Sequence, residues 1–143
     1  MNIYDCFENY QKIENFSGNN SIYCDICKTE YSCNCAEFIY SLPNILILIL
    51  GNNYFVKLEY YTELYLTNFV EAKQNNEIII YDLIGVIIGL SSSDRIHFIS
   101  ICKSPIDGLW YRYNDSFVSQ VQDFKIDILN YSMPYVLLYQ RRE

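Results

Sequence analysis

The chain has 143 residues, a formal net charge of −7, 51% hydrophobic residues and 17% aromatic residues. That suits one folded domain with a real core and excludes a disordered chain; ten basic residues without a stripe exclude a protein that tracks nucleic-acid phosphates. No membrane partner is expected either, because the longest apolar run, residues 45–50, is too short to cross a bilayer.

Fifteen Tyr and eight Phe, with abundant Ile, favour strands over helices. Within residues 3–16, Ile3, Phe7 and Tyr10 fall at helical spacing with Cys6 and Ile13 flanking the stripe, which predicts a helix. The turn residues SGNNS at 17–21 stop it. Residues 22–43 predict a hairpin-like segment with four cysteines crowded around its turn. Pro43 ends that segment, and the apolar run to Gly51 predicts a buried strand over 44–50. Residues 54–61 alternate loosely, as an exposed strand does, and 71–77 read as a polar loop. The run 78–90 predicts a strand bent at Gly85. A turn at 91–94 leads into a strand over 95–103, and SPIDG at 104–108 is another turn. Strands over 109–115 and, after Pro134, over 135–141 complete the pattern, with no internal repeat or interdomain linker. The fold class is α+β and dominated by an antiparallel sheet, in one domain over 1–143. Its first part, 1–42, carries the helix and a finger with four cysteines; the rest, 43–143, is sheet and carries the histidine segment.

His97 is the only histidine in the chain, and Asn114 and Asp115 follow it by seventeen and eighteen residues. Two readings fit. An amide or carboxylate oxygen that accepts from one ring N–H fixes the tautomer and leaves the other nitrogen as a base, as in half of a catalytic triad. A core histidine beside a structural turn asparagine has the same residues at the same spacing. Adjacent strands joined by the 104–108 turn bring the two together in either case.

The six cysteines carry a second question. Cys24 and Cys27 form a Cys-x-x-Cys knuckle, and Cys33 and Cys35 put two thiols on one face of a strand. Those four thiols could hold a structural zinc ion, or stay reduced and unliganded. The N-terminus has acids where a signal peptide needs a basic region and an apolar stretch, so an intracellular setting with reduced thiols is expected.

Five stretches, in this order, carry a resemblance. They are IYDCFENYQKIENFSGNNSIYCDIC at 3–27, SLPNILILIL at 41–50, ELYLTNFV at 63–70, YDLIGVIIGLSSSDRIHFISICKSPIDGLWYRYNDSFV at 81–118, and PYVLLYQR at 134–141. Together they resemble the C-terminal part of the catalytic domain of ubiquitin-specific proteases, the deubiquitinating cysteine proteases. The resemblance implies the sheet-rich half of a papain-like fold, the palm with part of the fingers, and ubiquitin or a ubiquitinated protein as partner. It implies Cys-His-Asn catalysis on the isopeptide bond after the terminal glycine of ubiquitin, with His97 as base and Asn114 as the residue that orients it. Asp115 falls at the family's common second acid.

The departures shape the expectation. Ile96 stands where the family usually has glycine beside the histidine, and a branched side chain there crowds the approach or forces a different backbone. The family's nucleophile lies upstream of everything present, at the start of a long helix. Cys24 is followed by no apolar-periodic helix, Cys102 points away from His97 on the same strand, and Cys6 lies mid-helix without an oxyanion loop. The chain alone is therefore expected to be inactive. It is either part of a working deubiquitinase whose cysteine half is supplied from elsewhere, or a non-catalytic remnant that binds ubiquitin or another protein. Trp110 and Tyr111 are expected in the sheet core. Without the helical half, the chain is expected to associate through an exposed sheet face.

Overall fold

The computed structural model describes residues 2–50, 61–72, 77–92, 95–124 and 134–143. The expected strand over 54–61 lies almost wholly outside the described residues, as do parts of the loops expected at 71–77 and 91–94.

The helix α1 spans Ile3–Tyr10 and ends well before residue 16. Asn2 caps it: its side chain accepts from the backbone N–H groups of Tyr4 and Asp5, and the Asp5 carboxylate accepts from the Asn2 N–H. Past Gln11 the chain turns extended, and Glu14–Phe16 form strand β1 instead of a last helical turn. Ile3 and Phe7 are buried, and Phe7 and Tyr4 pack their rings on Phe69. The Tyr4 hydroxyl accepts from the Tyr65 N–H at 3.1 Å, which pins the helix to the neighbouring strand.

Two small antiparallel sheets follow. Strands β2 (Ile22–Cys24) and β3 (Thr29–Tyr31) form a hairpin, and β4 (Cys33–Cys35) folds back onto β1.

The main sheet is built from β5 (Ile45–Ile49), β6 (Glu63–Tyr65), β7 (Ile80–Ser92), β8 (Arg95–Lys103), β9 (Trp110–Asn114), β10 (Phe117–Gln120) and β11 (Pro134–Arg141). Its order is β10-β9-β8-β7-β11-β5, with β6 on β7, and every pairing is antiparallel. The long β7 takes β11 on one edge and, on the other, β6 near its start and β8 from Gly85 onward.

One irregularity in β7 sets which side chains face the core. Leu83 pairs with Tyr139 but Gly85 pairs with Leu138, so Ile84 is an extra residue. Such a bulge shifts the two-residue side-chain period by one. Accordingly Ile79, Tyr81 and Leu83 are buried before it, and Val86 and Ile88 after it. The bend expected at Gly85 is this bulge. Leu64, Leu66, Ile99, Ile101, Leu137 and Tyr139 join the same apolar core, each burial worth roughly 1.5–3 kcal/mol relative to exposure. The buried tyrosine hydroxyls are satisfied: Tyr139 donates to the Tyr61 carbonyl at 2.8 Å, and Tyr81 donates to that of Pro43. Arg142 ties β11 to β6 and β7 through Glu63 and Asp82, and Arg141 pairs with Glu77.

The strand expected to be buried over 44–50 is buried on one face only. Leu46 lies in the core, whereas Ile45, Ile47 and Ile49, alternating to the other face, are exposed. Trp110 is half-buried against the core and stacks on Phe124 with ring centroids 3.9 Å apart, whereas Tyr111, expected in the core with it, alternates to the other face and bonds Asp107. No described helix is long and apolar enough to cross a membrane.

Candidate active site

The register of β7 and β8 places His97. Ile101 pairs with Val86, Ile99 with Ile88, and His97 with Leu90. His97 therefore continues the core-facing row one step beyond Ile99, where burial ends, and its side chain is 44% exposed. A polar ring at the rim of an apolar face keeps contact with solvent while its orientation is constrained by the strand.

Asn114 is the last residue of β9, antiparallel to β8. Ser100 pairs with Tyr113, so Asn114 lies on the same face as Ile99 and diagonal to His97. His97 Nε2 is 2.6 Å from Asn114 Oδ1. An amide oxygen can only accept, so Nε2 carries the proton and Nδ1 keeps its lone pair. That leaves a base whose free nitrogen is held in one direction by its hydrogen-bonded partner. The two residues singled out in the sequence are brought together.

Asp115 follows in the left-handed region at φ 50, where a short polar side chain is tolerated, and opens the two-residue turn to Phe117. Its Oδ2 is 3.9 Å from His97 Nε2, and its side chain is 80% exposed. At that distance and exposure it contributes little to holding an imidazolium. Strand β10 is one more strand than the sequence pattern predicts. It sets Phe117 directly across from Asn114, with the ring 78% exposed beside the His97–Asn114 pair. The signal was the polar pair Asp115-Ser116 between two short β-prone runs.

Ile96 alternates to the face opposite His97, half exposed near Gly89 and Phe98. Its branched side chain thus leaves the His97 face open.

None of the cysteines joins His97. Cys102 pairs with Gly85 and Tyr111 on the opposite face of β8. Cys6 is on α1, which is tied through Tyr65 to the start of β7 at Ile80, while His97 is opposite Leu90, ten residues further along that strand, roughly 33 Å of strand length. The other four are in the two small sheets, whose strands pair with neither β8 nor β9.

The four cysteines expected to hold zinc, Cys24, Cys27, Cys33 and Cys35, fall into two pairs. Cys24 and Cys27 flank the tip of the β2–β3 hairpin; Cys33 and Cys35 lie beyond its base, on β4. Among the described residues no three metal-ligating side chains gather at one point. The two pairs also differ chemically. The Cys27 N–H donates to Cys24 Sγ at 3.4 Å, and this contact, with that of the Ile26 N–H and the Cys27 thiol, holds the Cys24 thiol below its ordinary pKa. Lys28, at φ 56, completes that tight turn by donating its N–H to the Cys24 carbonyl at 2.8 Å. Cys33 and Cys35 share one hydrogen bond at 3.5 Å, which raises the Cys33 pKa.

A histidine ring held by an asparagine oxygen at the end of neighbouring strands leaves one ring nitrogen free to accept a proton. The sequence profile of the ubiquitin carboxyl-terminal hydrolase family matches residues 5–139, and the chain belongs to that family as the C-terminal part of a ubiquitin-specific protease catalytic domain. Ubiquitin carboxyl-terminal hydrolase 4 of Pongo abelii is 30% identical over 97% of the chain, and ubiquitin carboxyl-terminal hydrolase 8 of Saccharomyces cerevisiae is 27% identical over 99%. The chain spans 15% of the first and 33% of the second. The solved SAGA DUB module containing Ubp8 overlays with a TM-score of 0.74 at 26% identity, covering 99% of this chain and 33% of that one. A Ubp8 variant in that module bound to monoubiquitin gives 0.72 at 26%, with the same coverage.

Proposed function

We propose that this chain supplies the general base of a deubiquitinase, with the thiol nucleophile provided by a segment outside it. The observation that carries the reading is the 2.6 Å contact between His97 Nε2 and Asn114 Oδ1. Nδ1 of His97 takes the proton of an incoming cysteine thiol; the thiolate attacks the isopeptide carbonyl; the imidazolium then returns the proton to the leaving lysine amine. Water, deprotonated by the same nitrogen, hydrolyses the thioester. Asn114 holds the ring through both protonation states, because its oxygen accepts from Nε2–H in each. Ubiquitin is the partner this reading requires, in a reducing, intracellular setting, and a relative solved with monoubiquitin supports it.

Alone, the chain binds ubiquitin without cleaving it, because no described cysteine lies on the His97 face. A positioned base without a nucleophile offers about 10²–10⁴-fold, far short of a protease. The test has two arms. The chain by itself should neither cleave a ubiquitin–fluorophore conjugate nor be labelled by a ubiquitin probe with a thiol-reactive C-terminus. Mixed with the cysteine-bearing portion of the yeast relative, it should cleave the conjugate, and His97→Ala should abolish that gain. Labelling of the chain alone that disappears in Cys24→Ala or Cys102→Ala would place the nucleophile within it. Failure to bind ubiquitin and to complement would sink the reading altogether.

A further inference from the structure

The main sheet has a second face, turned away from the core. Ile49, Val136, Ile87, Ser100, Tyr113 and Val118 are register neighbours across β5, β11, β7, β8, β9 and β10, and all alternate to that face. Ile49, Tyr113 and Val118, with Ile45, Ile47, Ile96 and Phe98 on the adjoining rows, are 39–71% exposed. Neither this row nor the next, from Ile47 to Gln120, holds a charged residue, although the chain carries a net −7. At one end the face stops at Arg142, which is paired with Glu63 and Asp82. Seven side chains of roughly 200 Å² each, about half exposed, offer on the order of 700 Å² of surface. A soluble monomer rarely shows an apolar patch above a few hundred Å², and a stable interface takes about 800 Å² from each partner.

We propose that this face binds a second copy of the chain, in a two-fold dimer whose two sheets stack face to face. Charge selects that occupant first. A strongly charged partner finds nothing to pair with on these rows, whereas two uncharged faces bring the chains together where their negative charges are sparsest. Shape selects it next, because two antiparallel sheets stack about 10 Å apart with strands within about 30° of each other, and a two-fold contact uses one patch twice. The thiol-bearing segment does not compete for the face. It must approach His97 Nδ1, and His97, Asn114 and Phe117 lie on the opposite side of the sheet. The dimer therefore leaves the base accessible.

Sedimentation equilibrium of the full chain should give a dimer that dissociates on dilution. It should tighten as salt rises, because salt screens the repulsion between two chains of net charge −7. Ile47→Glu and Ile49→Glu change exposed positions, so the monomer should still fold. Each should weaken dimerisation about 100-fold or more by placing an unpaired charge in the contact. Ile106→Glu, the same change in the exposed 104–108 turn, should leave the dimer unaltered. Hydroxyl-radical oxidation of the unmodified chain guards against a misfolded variant: raising the concentration should protect Phe98 and Tyr113 and leave Phe117 as it was. A chain monomeric throughout the micromolar range, a dimer loosened by salt, or one indifferent to both glutamates would overturn the proposal. So would protection of Phe98 by the cysteine-bearing portion of the yeast relative, which would make that portion the occupant.

Discussion

Leu90 and His97 stand opposite each other across β7 and β8, on the face that buries Val86, Ile88, Ile99 and Ile101. His97 reaches that face only because Ile84, the unpaired residue of the β7 bulge, shifts the side-chain phase between Leu83 and Val86. Deleting Ile84 would restore a regular strand and turn one half of β7 inside out, exposing either Tyr81 and Leu83 or Val86 and Ile88. The expected result is loss of cooperative unfolding, since roughly 1.5–3 kcal/mol per displaced side chain exceeds what a marginally stable domain holds. Gly85→Ala is the control. Its added Cβ would meet Cys102 Sγ and Leu138 Cδ1 at 3.5 Å, ordinary contact, so its melting curve should stay within about 1 kcal/mol of wild type. A cooperative, stable Ile84 deletion would show that the bulge does not set the face.

The His97–Asn114 contact predicts a tautomer. Nitrogen-15 NMR of the neutral imidazole should show the proton on Nε2. Asn114→Ala should mix the two tautomers and speed exchange of that proton, at a stability cost of about 0.5–1 kcal/mol for a half-exposed bond. Asn114→Asp retains an acceptor and should keep the Nε2–H form. An unchanged tautomer ratio in Asn114→Ala would mean that the amide does not orient the ring.

The thiols should differ in reactivity. Cys24 receives the Cys27 and Ile26 N–H groups and has a lowered pKa, so more of it is thiolate at neutral pH. Cys33 shares its proton with Cys35 and is shifted the other way. In the reduced, metal-free chain, limiting iodoacetamide should modify Cys24 several-fold faster than Cys33, read by peptide mass mapping. Equal rates would contradict the assigned hydrogen bonding at the hairpin tip.

The parts of the molecule that could be foreseen are those governed by local periodicity. The strands over 80–92, 95–103, 110–114 and 134–141 announced themselves by β-branched and aromatic runs between turn residues, and the His97–Asn114 pairing followed from a short turn between two of them. The errors came from contacts distant in sequence. Residues 14–16 continue a helical stripe, yet pairing with Cys33–Cys35 draws them into a strand. The cysteines crowd together in sequence, but the hairpin carries Cys24 and Cys27 to its tip while β4 runs away from it. The one-sided burial of β5 depends on what packs over each face of the sheet, which an apolar run does not reveal. The nucleophile of the proposed reaction lies outside the pattern altogether.

The turn between β8 and β9 fixes how β9 returns to His97, and its central bond is titratable. Asp107 accepts from the Leu109 N–H at 3.0 Å and from the Tyr111 hydroxyl at 2.8 Å. These contacts, the Leu109 one foremost, with Ser104 adding a smaller effect, hold the Asp107 carboxyl below its ordinary value. A carboxylate whose folded pKa is depressed contributes stability above the unfolded value, about 3.9, and loses it as pH falls through the depressed folded value. The Leu109 amide resonance should therefore hold its position down to about pH 4 and shift below it. Tyr111 responds in the opposite direction, its hydroxyl raised above its ordinary pKa by the bond to Asp107 and by that charge. Asp107→Asn keeps an acceptor for Leu109 but removes the charge. It should abolish the acid inflection of the amide and bring the Tyr111 titration, read by ultraviolet absorbance, back toward its ordinary value. An acid inflection that persists in Asp107→Asn would assign the titration to another group and leave the turn without its proposed pH dependence.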